Sequence, residues 1–166
     1  MDEETLRRRL AWTLQAWQVS REARIAAVSR TCERLEKGRL SAVLSRHVRR
    51  SGVRVRRLLR LCSRLHVPPA EKETFAVTRE LSSFSVDLST SEVTCGNVGR
   101  SALPSLFQMT VIEHGLIAYA RSVCEMLADT EAARRLRRVE AELSRLMAAL
   151  QSAAAELTGV PTGSIA

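Results

Sequence analysis

The chain has 166 residues, of which 45% are hydrophobic and only 4% aromatic, and carries a net charge of +8. That is the size of one domain, and a core built from Leu, Val, Ala and Ile argues for packed helices over an aromatic-rich β-sandwich. The sequence lacks an apolar run near the roughly 18 residues of a spanning helix. The charged stretch Met1 to Arg9 lacks the apolar centre of a secretory signal, so a cytoplasmic chain without a membrane partner is expected.

The first expected helix covers about residues 4–36. Leu6, Leu10, Leu14, Trp17, Ile25, Val28, Cys32 and Leu35 recur mostly at three or four residues, the spacing of one helix face, and Gly38 interrupts the pattern. Trp12 lies on a different face from Trp17, so one indole belongs to the core and the other marks a partly covered surface or a dimer contact. The second helix covers about 40–65, with Leu40, Leu44, His47, Ser51, Val55, Leu58, Cys62 and Leu65 in its stripe. Val67-Pro68-Pro69 ends it. A short amphipathic piece, Glu71 to about Ser83, precedes a loop from Leu88 to Val98.

The third helix is expected over about 104–128, since Pro104 suits a first helical turn. Its stripe is Leu106, Met109 and Thr110, Glu113, Leu116 and Ile117, Ala120, Val123 and Cys124, and Leu127. Asp129-Thr130 makes a tight connection with a good N-cap. The fourth helix covers about 131–157, with Leu136, Val139 and Glu140, Leu143, Leu146 and Met147, Leu150 and Ala154 on one face. Gly159-Val160-Pro161 stops it and leaves 159–166 as a flexible tail. Residues 1–158 thus form one domain. Two helical hairpins joined by a long connection give an all-α, ferritin-like four-helix bundle with a short helical and loop insert between the second and third long helices.

Nearly all the basic charge is arginine; the lysines are Lys37 and Lys72. Arg46, Arg49, Arg50, Arg54, Arg56, Arg57, Arg60 and Arg64 load the second helix, and Arg134, Arg135, Arg137 and Arg138 open the fourth. Guanidinium matches phosphate geometry, which makes a nucleic acid one candidate partner. The competing reading has these side chains covering apolar surface and pairing with neighbouring carboxylates. That reading is preferred, because aromatics for base stacking are not interleaved with the arginines. Cys32, Cys62, Cys95 and Cys124 match no zinc spacing; Cys95 falls in the loop.

Three stretches resemble the YciE/YciF group of ferritin-like proteins, small bacterial stress-associated bundles. They are Leu40-Ser41-Ala42-Val43-Leu44-Ser45-Arg46-His47, continuing through Arg57 to Leu61; Ile112-Glu113-His114 with Ile117-Ala118-Tyr119; and Thr130-Glu131-Ala132-Ala133 with the run from Leu136 to Leu143. The resemblance implies a site at the bundle centre where carboxylates and a His hold two metal ions, iron or manganese. Carried over by position, the candidate or vestigial ligands are His47, Glu113, Glu22 and Glu142.

Two departures oppose a working centre. Arg50 and Leu116 stand where the family places carboxylates, and two hard cations need about four of them. Glu113 falls on an apolar stripe, where a carboxylate requires a partner. His47 and Arg50 are the natural ones, so the expected arrangement is a buried polar cluster of His47, Arg50 and Glu113 without a cofactor. The basic surface would be Arg46, Arg49, Arg54, Arg57, Arg134 and Arg138. A Gly-rich phosphate loop and a nucleophile elbow are missing from the sequence. The expected function is therefore non-enzymatic: a degenerate stress-associated bundle acting by self-association, as a dimer, or by binding. A metal-binding oxidoreductase or storage protein and a basic nucleic-acid-associated protein are the competing classes.

Overall fold

A computed structural model describes residues 2–34, 38–67 and 98–158; within these, the side chains of residues 23, 24, 27, 34, 39, 50–58, 98–102, 157 and 158 are not described. The described residues form four long helices: α1 (Glu3–Arg34), α2 (Arg39–Arg64), α3 (Val98–Met126) and α4 (Thr130–Thr158). Three of the four follow the expected bounds closely. The third does not, because α3 is already helical at Val98 and carries Pro104 inside it. Pro104 is exposed, so the carbonyl that loses its N–H partner one turn back lies on the outer side, where water can replace the bond and the helix need not stop. The expected insert, from Glu71 to Val98, and the tail 159–166 lie outside the described residues apart from Val98 itself.

Local chemistry fixes the helix ends. Asp2 caps α1: its carboxylate accepts the Thr5 N–H at 2.7 Å, and Glu3 and Glu4 place negative charge in the first turn. At the end of α2 the chain turns through His66 in the left-handed region, φ 53°. There the Val67 N–H reaches the Cys62 carbonyl at 2.9 Å and the His66 N–H reaches that of Ser63 at 3.1 Å, the paired bonds of a Schellman turn. The end of α3 repeats this with Ala128 at φ 55°, the Asp129 N–H bonding Cys124 and the Ala128 N–H bonding Glu125. Asp129 then caps α4, accepting the Ala132 N–H at 2.9 Å.

Two apolar clusters fill the bundle, one towards each end. The first joins Leu6, Leu10, Leu14 and Trp17 of α1 to Leu61 and Cys62 of α2, Ile117 to Cys124 of α3, and Ala132 to Leu143 of α4. The second joins Val28 of α1 to Leu40 and Leu44 of α2, Leu103 and Leu106 of α3, and Leu146 to Ala153 of α4. The start of α1 therefore lies with the ends of α2 and α3 and the start of α4. Consequently α1 and α4 run one way, and α2 and α3 the other.

Helix α3 packs along both α1 and α4, and α2 touches the same two helices less extensively. Among the described residues α2 and α3 make only sparse contact, which puts them on a diagonal. The end of α2 and the start of α3 are at opposite ends of the bundle, so the connection between them joins one end to the other. Ion pairs tie α3 to α4: Arg121 donates to Glu140 at 2.7 Å and to Glu125 at 2.9 Å, and Arg137 reaches Glu125 at 2.9 Å.

Candidate functional site

Between the two apolar clusters lies a layer of buried polar side chains: Ser20 and Arg21 of α1, His47 of α2, and Thr110 and Glu113 of α3. The two hydroxyls are satisfied within their own helices. Ser20 Oγ donates to the Ala16 carbonyl at 2.8 Å and Thr110 Oγ1 to that of Leu106 at 2.7 Å. Three ionisable groups remain. Glu113 is 1% exposed and His47 9%; both are engaged in polar or electrostatic contacts, as is Arg21. The Arg21 guanidinium stands 5.4 Å from the centroid of the Trp17 ring, close enough for a cation–π attraction in a desolvated setting.

The expected site residues divide sharply. Glu113 and His47 are buried, as their stripe positions require. Glu142 is half-buried and lines a cleft of about 260 Å³ between α2 and α4 together with His47, Arg46 and Arg145. Glu22 is exposed, which corrects its expected inward placement. The residue beside it, Arg21, is the one that faces the interior, because one helical step turns a side chain by about 100°. The signal was present in the sequence: Arg21 follows Leu14 and Trp17 at spacings of seven and four, in the stripe that Leu6 and Leu10 begin. Of the expected cluster, Arg50 falls among the side chains that are not described, as do Arg54 and Arg57 of the basic surface.

A dinuclear metal centre is what the resemblance implies at this place. Such a centre draws on about four carboxylates from four helices. Among the described residues of the layer one carboxylate and one imidazole are buried, and α1 contributes a fixed positive charge. Among the described residues, His, Cys, Asp and Glu side chains nowhere come together as a group of three or more suited to an ion.

Other reactive groups are muted by their surroundings. Cys62 and Cys124 are buried and Cys32 is half-buried; all three are free thiols. Burial pushes all three up, Cys124 to about 11, so they remain protonated and poorly nucleophilic at neutral pH. His114 lies at the margin of α3, 3.0 Å from Ser144 Oγ.

The surface is uneven in charge. On the α3–α4 side several arginines are ion-paired: Arg134 and Arg135 both bond Glu131, at 2.6 and 2.7 Å, beside the Arg121 and Arg137 pairs. Arg134 and Arg135 share this one carboxylate, so the pair keeps a net positive charge, and Arg134 is exposed. Arg46, Arg49 and Arg138 are exposed without a carboxylate partner among the described residues. A second surface is a stripe of α3 whose exposed side chains carry no charge. Pro104, Gln108, Val111, Gly115, Tyr119 and Met126 of α3 are exposed and fall within about 80° of arc on the helix. Trp12, 52% exposed, projects from the α1 face whose Ala16 and Val19 pack against Leu116 of α3. No described helix is long and apolar enough to cross a membrane. Compared with models of protein families, with curated proteins and with solved structures, the chain gives no match.

Proposed function

We propose that the protein is a degenerate ferritin-like bundle of the YciE/YciF type, that it is not an enzyme, and that it acts by self-association as a dimer. The helix order supports the fold part of this reading. Two antiparallel hairpins whose second and third helices are parallel and diagonal are the arrangement that a long crossover produces. The observation that carries the functional part is the exchange at Arg21 and Glu22: the cation is inside and the carboxylate outside. A guanidinium facing the layer of Glu113 and His47 opposes two divalent cations by charge and offers them no lone pair.

The uncharged stripe of α3, with the exposed Trp12 of α1, supports self-association. A chain of net charge +8 repels its copy, so a dimer contact has to sit where charge is absent. The α3 stripe from Pro104 to Met126 is about 33 Å long. A standard interface covers roughly 800 Å² of each partner. Trp12 and Tyr119 are the anchor types that such interfaces use.

The test uses the full chain. Elemental analysis after expression with added iron and manganese should find no stoichiometric metal, and light scattering should find a dimer. Trp12→Glu with Tyr119→Glu should give a folded monomer with an unchanged circular dichroism spectrum. Two metal ions per chain, or a wild-type monomer at tens of micromolar, on the order of a weak dimer's dissociation constant, would overturn the proposal.

A further inference from the structure

We infer that α3 packs antiparallel against α3 of a second copy, with Gly115 on the two-fold axis of the dimer, a geometry that rests on the self-association proposed above. Gly115 is exposed inside a 29-residue helix, where glycine is less favourable than alanine. The chain's own packing does not ask for it, because a Cβ built there would meet nothing within 4 Å among the described residues. A side chain left out where the fold has room for one suits a close approach from outside the chain.

The uncharged stripe is centred on this glycine. Val111 and Tyr119 lie four residues to either side, Gln108 and Ser122 seven, and Pro104 and Met126 eleven. A repeat of 11 residues in three turns is about 3.67 residues per turn, close to the helix's own period, so the stripe runs almost along the axis. A copy laid on it at a shallow crossing angle stays in contact over its length.

A two-fold axis makes such a patch self-complementary, since residue i meets j while j meets i. Tyr119 then faces the copy's Val111, a large side chain against a small one, and the two glycines face each other between them. Gln108 faces the copy's Ser122, whose Oγ donates to the Ala118 carbonyl at 3.1 Å and keeps lone pairs for the Gln amide. Parallel packing is opposed twice. It would set Tyr119 against Tyr119 about 6 Å along the axis from Gly115, holding the backbones apart where the glycines let them approach. It would also bring together the Arg134, Arg135, Arg137 and Arg138 groups of the two copies. These open α4 beside the end of α3, where Arg137 reaches Glu125 at 2.9 Å; antiparallel packing sends them to opposite ends.

Sedimentation equilibrium of the full chain tests this. Gly115→Leu should keep the helical circular dichroism, since the chain leaves room for the side chain, and should weaken the dimer by more than about tenfold. Gln151→Leu, at an exposed α4 position off the stripe, should change it by less than about twofold. Val111→Lys and Tyr119→Glu should each weaken the dimer. Both together in one chain should bind at least about tenfold tighter than the weaker single variant, because the introduced charges face each other twice across the axis. Within one helix they stand about 12 Å apart and do not pair. Parallel packing would set like charges together and make the double variant the weakest of the three. Should Gly115→Leu lose helicity, the charge exchange decides alone. A dimer that survives Gly115→Leu, or a double variant no tighter than the weaker single, overturns this geometry and leaves self-association standing. A wild-type monomer on the order of tens of micromolar overturns both.

Discussion

Arg64, at the end of α2, donates through one terminal nitrogen to both carboxylate oxygens of Asp129 at 3.0 Å. Asp129 lies in the turn between α3 and α4 and caps α4 through the Ala132 N–H. One carboxylate thus joins three helices at one end of the bundle. Asp129→Ala should cost about 1–2 kcal/mol, combining a lost N-cap with a half-exposed ion pair. Arg64→Ala should cost less than about 1 kcal/mol, because the cap survives. Urea denaturation of both variants measures this; equal losses would mean that the cap contributes nothing beyond the ion pair.

The two left-handed residues that close α2 and α3 are not glycines. Ala128, at φ 55°, carries a Cβ that crowds the following carbonyl, a cost of roughly 1–2 kcal/mol that glycine avoids. Ala128→Gly gains flexibility in the unfolded chain, which offsets part of that relief. The expected net is a rise in Tm of about 2–4 °C, read by thermal unfolding. A lower Tm would show that the turn tolerates the Cβ without strain.

Hydrogen bonds from Arg134 and Arg135 hold the Glu131 carboxyl down at about 2, from its ordinary 4.5. A carboxylate whose folded value is depressed stabilises the fold above its unfolded value and loses that contribution as pH falls towards the folded value. Glu131 therefore contributes fully above about pH 5 and progressively less from there to pH 2. Wild type and Glu131→Gln should differ in Tm at pH 6 and converge by pH 2. A constant difference across that range would exclude the ionised carboxylate as its source.

Trp17 is 2% exposed, and its indole Nε1 has no hydrogen-bond partner among the described residues. The residue is held by packing and by the Arg21 guanidinium over its ring. Trp17→Phe keeps an aromatic face and removes an unsatisfied donor, so it should cost under about 1.5 kcal/mol. Trp17→Ala should cost about 3–5 kcal/mol. Comparable losses in chemical denaturation would mean that the indole nitrogen has a role in the fold.

Glu113 is a carboxylate in the bundle interior with its contacts made there. Glu113→Ala should cost about 2–5 kcal/mol, since it removes a fully buried side chain and the contacts it makes. Glu142→Ala, at a half-buried position, should cost about 1 kcal/mol or less. A small loss at Glu113 would show that the polar layer relaxes around the gap or admits water.

Much of the fold was legible in the residue pattern. The stripe of α3, from Leu106 through Glu113 to Cys124, and that of α4 are set by a 3.6-residue period that local spacing records directly. So are the Asp129 cap and the end of α2 near Leu65. The start of α3 was not legible, because Pro104 is compatible both with a first turn and with an exposed position inside a helix. Which one occurs depends on the side of the bundle that Pro104 faces.

The site divides in the same way. Burial of Glu113 and His47 follows from their places in their own stripes, so the sequence alone determined that a polar layer interrupts the core. Whether α1 offers Glu22 or Arg21 to that layer differs by one residue and about 100° of rotation, and the packing of α1 against α3 decided it. The pairing of Glu131 with Arg134 is an i,i+3 contact within α4 and is local, whereas the gathering of Arg46, Arg145 and Glu142 around one cleft needed the tertiary structure for another reason. Charge neutralisation acts over a few ångströms between side chains, and residues about 100 positions apart become neighbours only when α2 and α4 pack together.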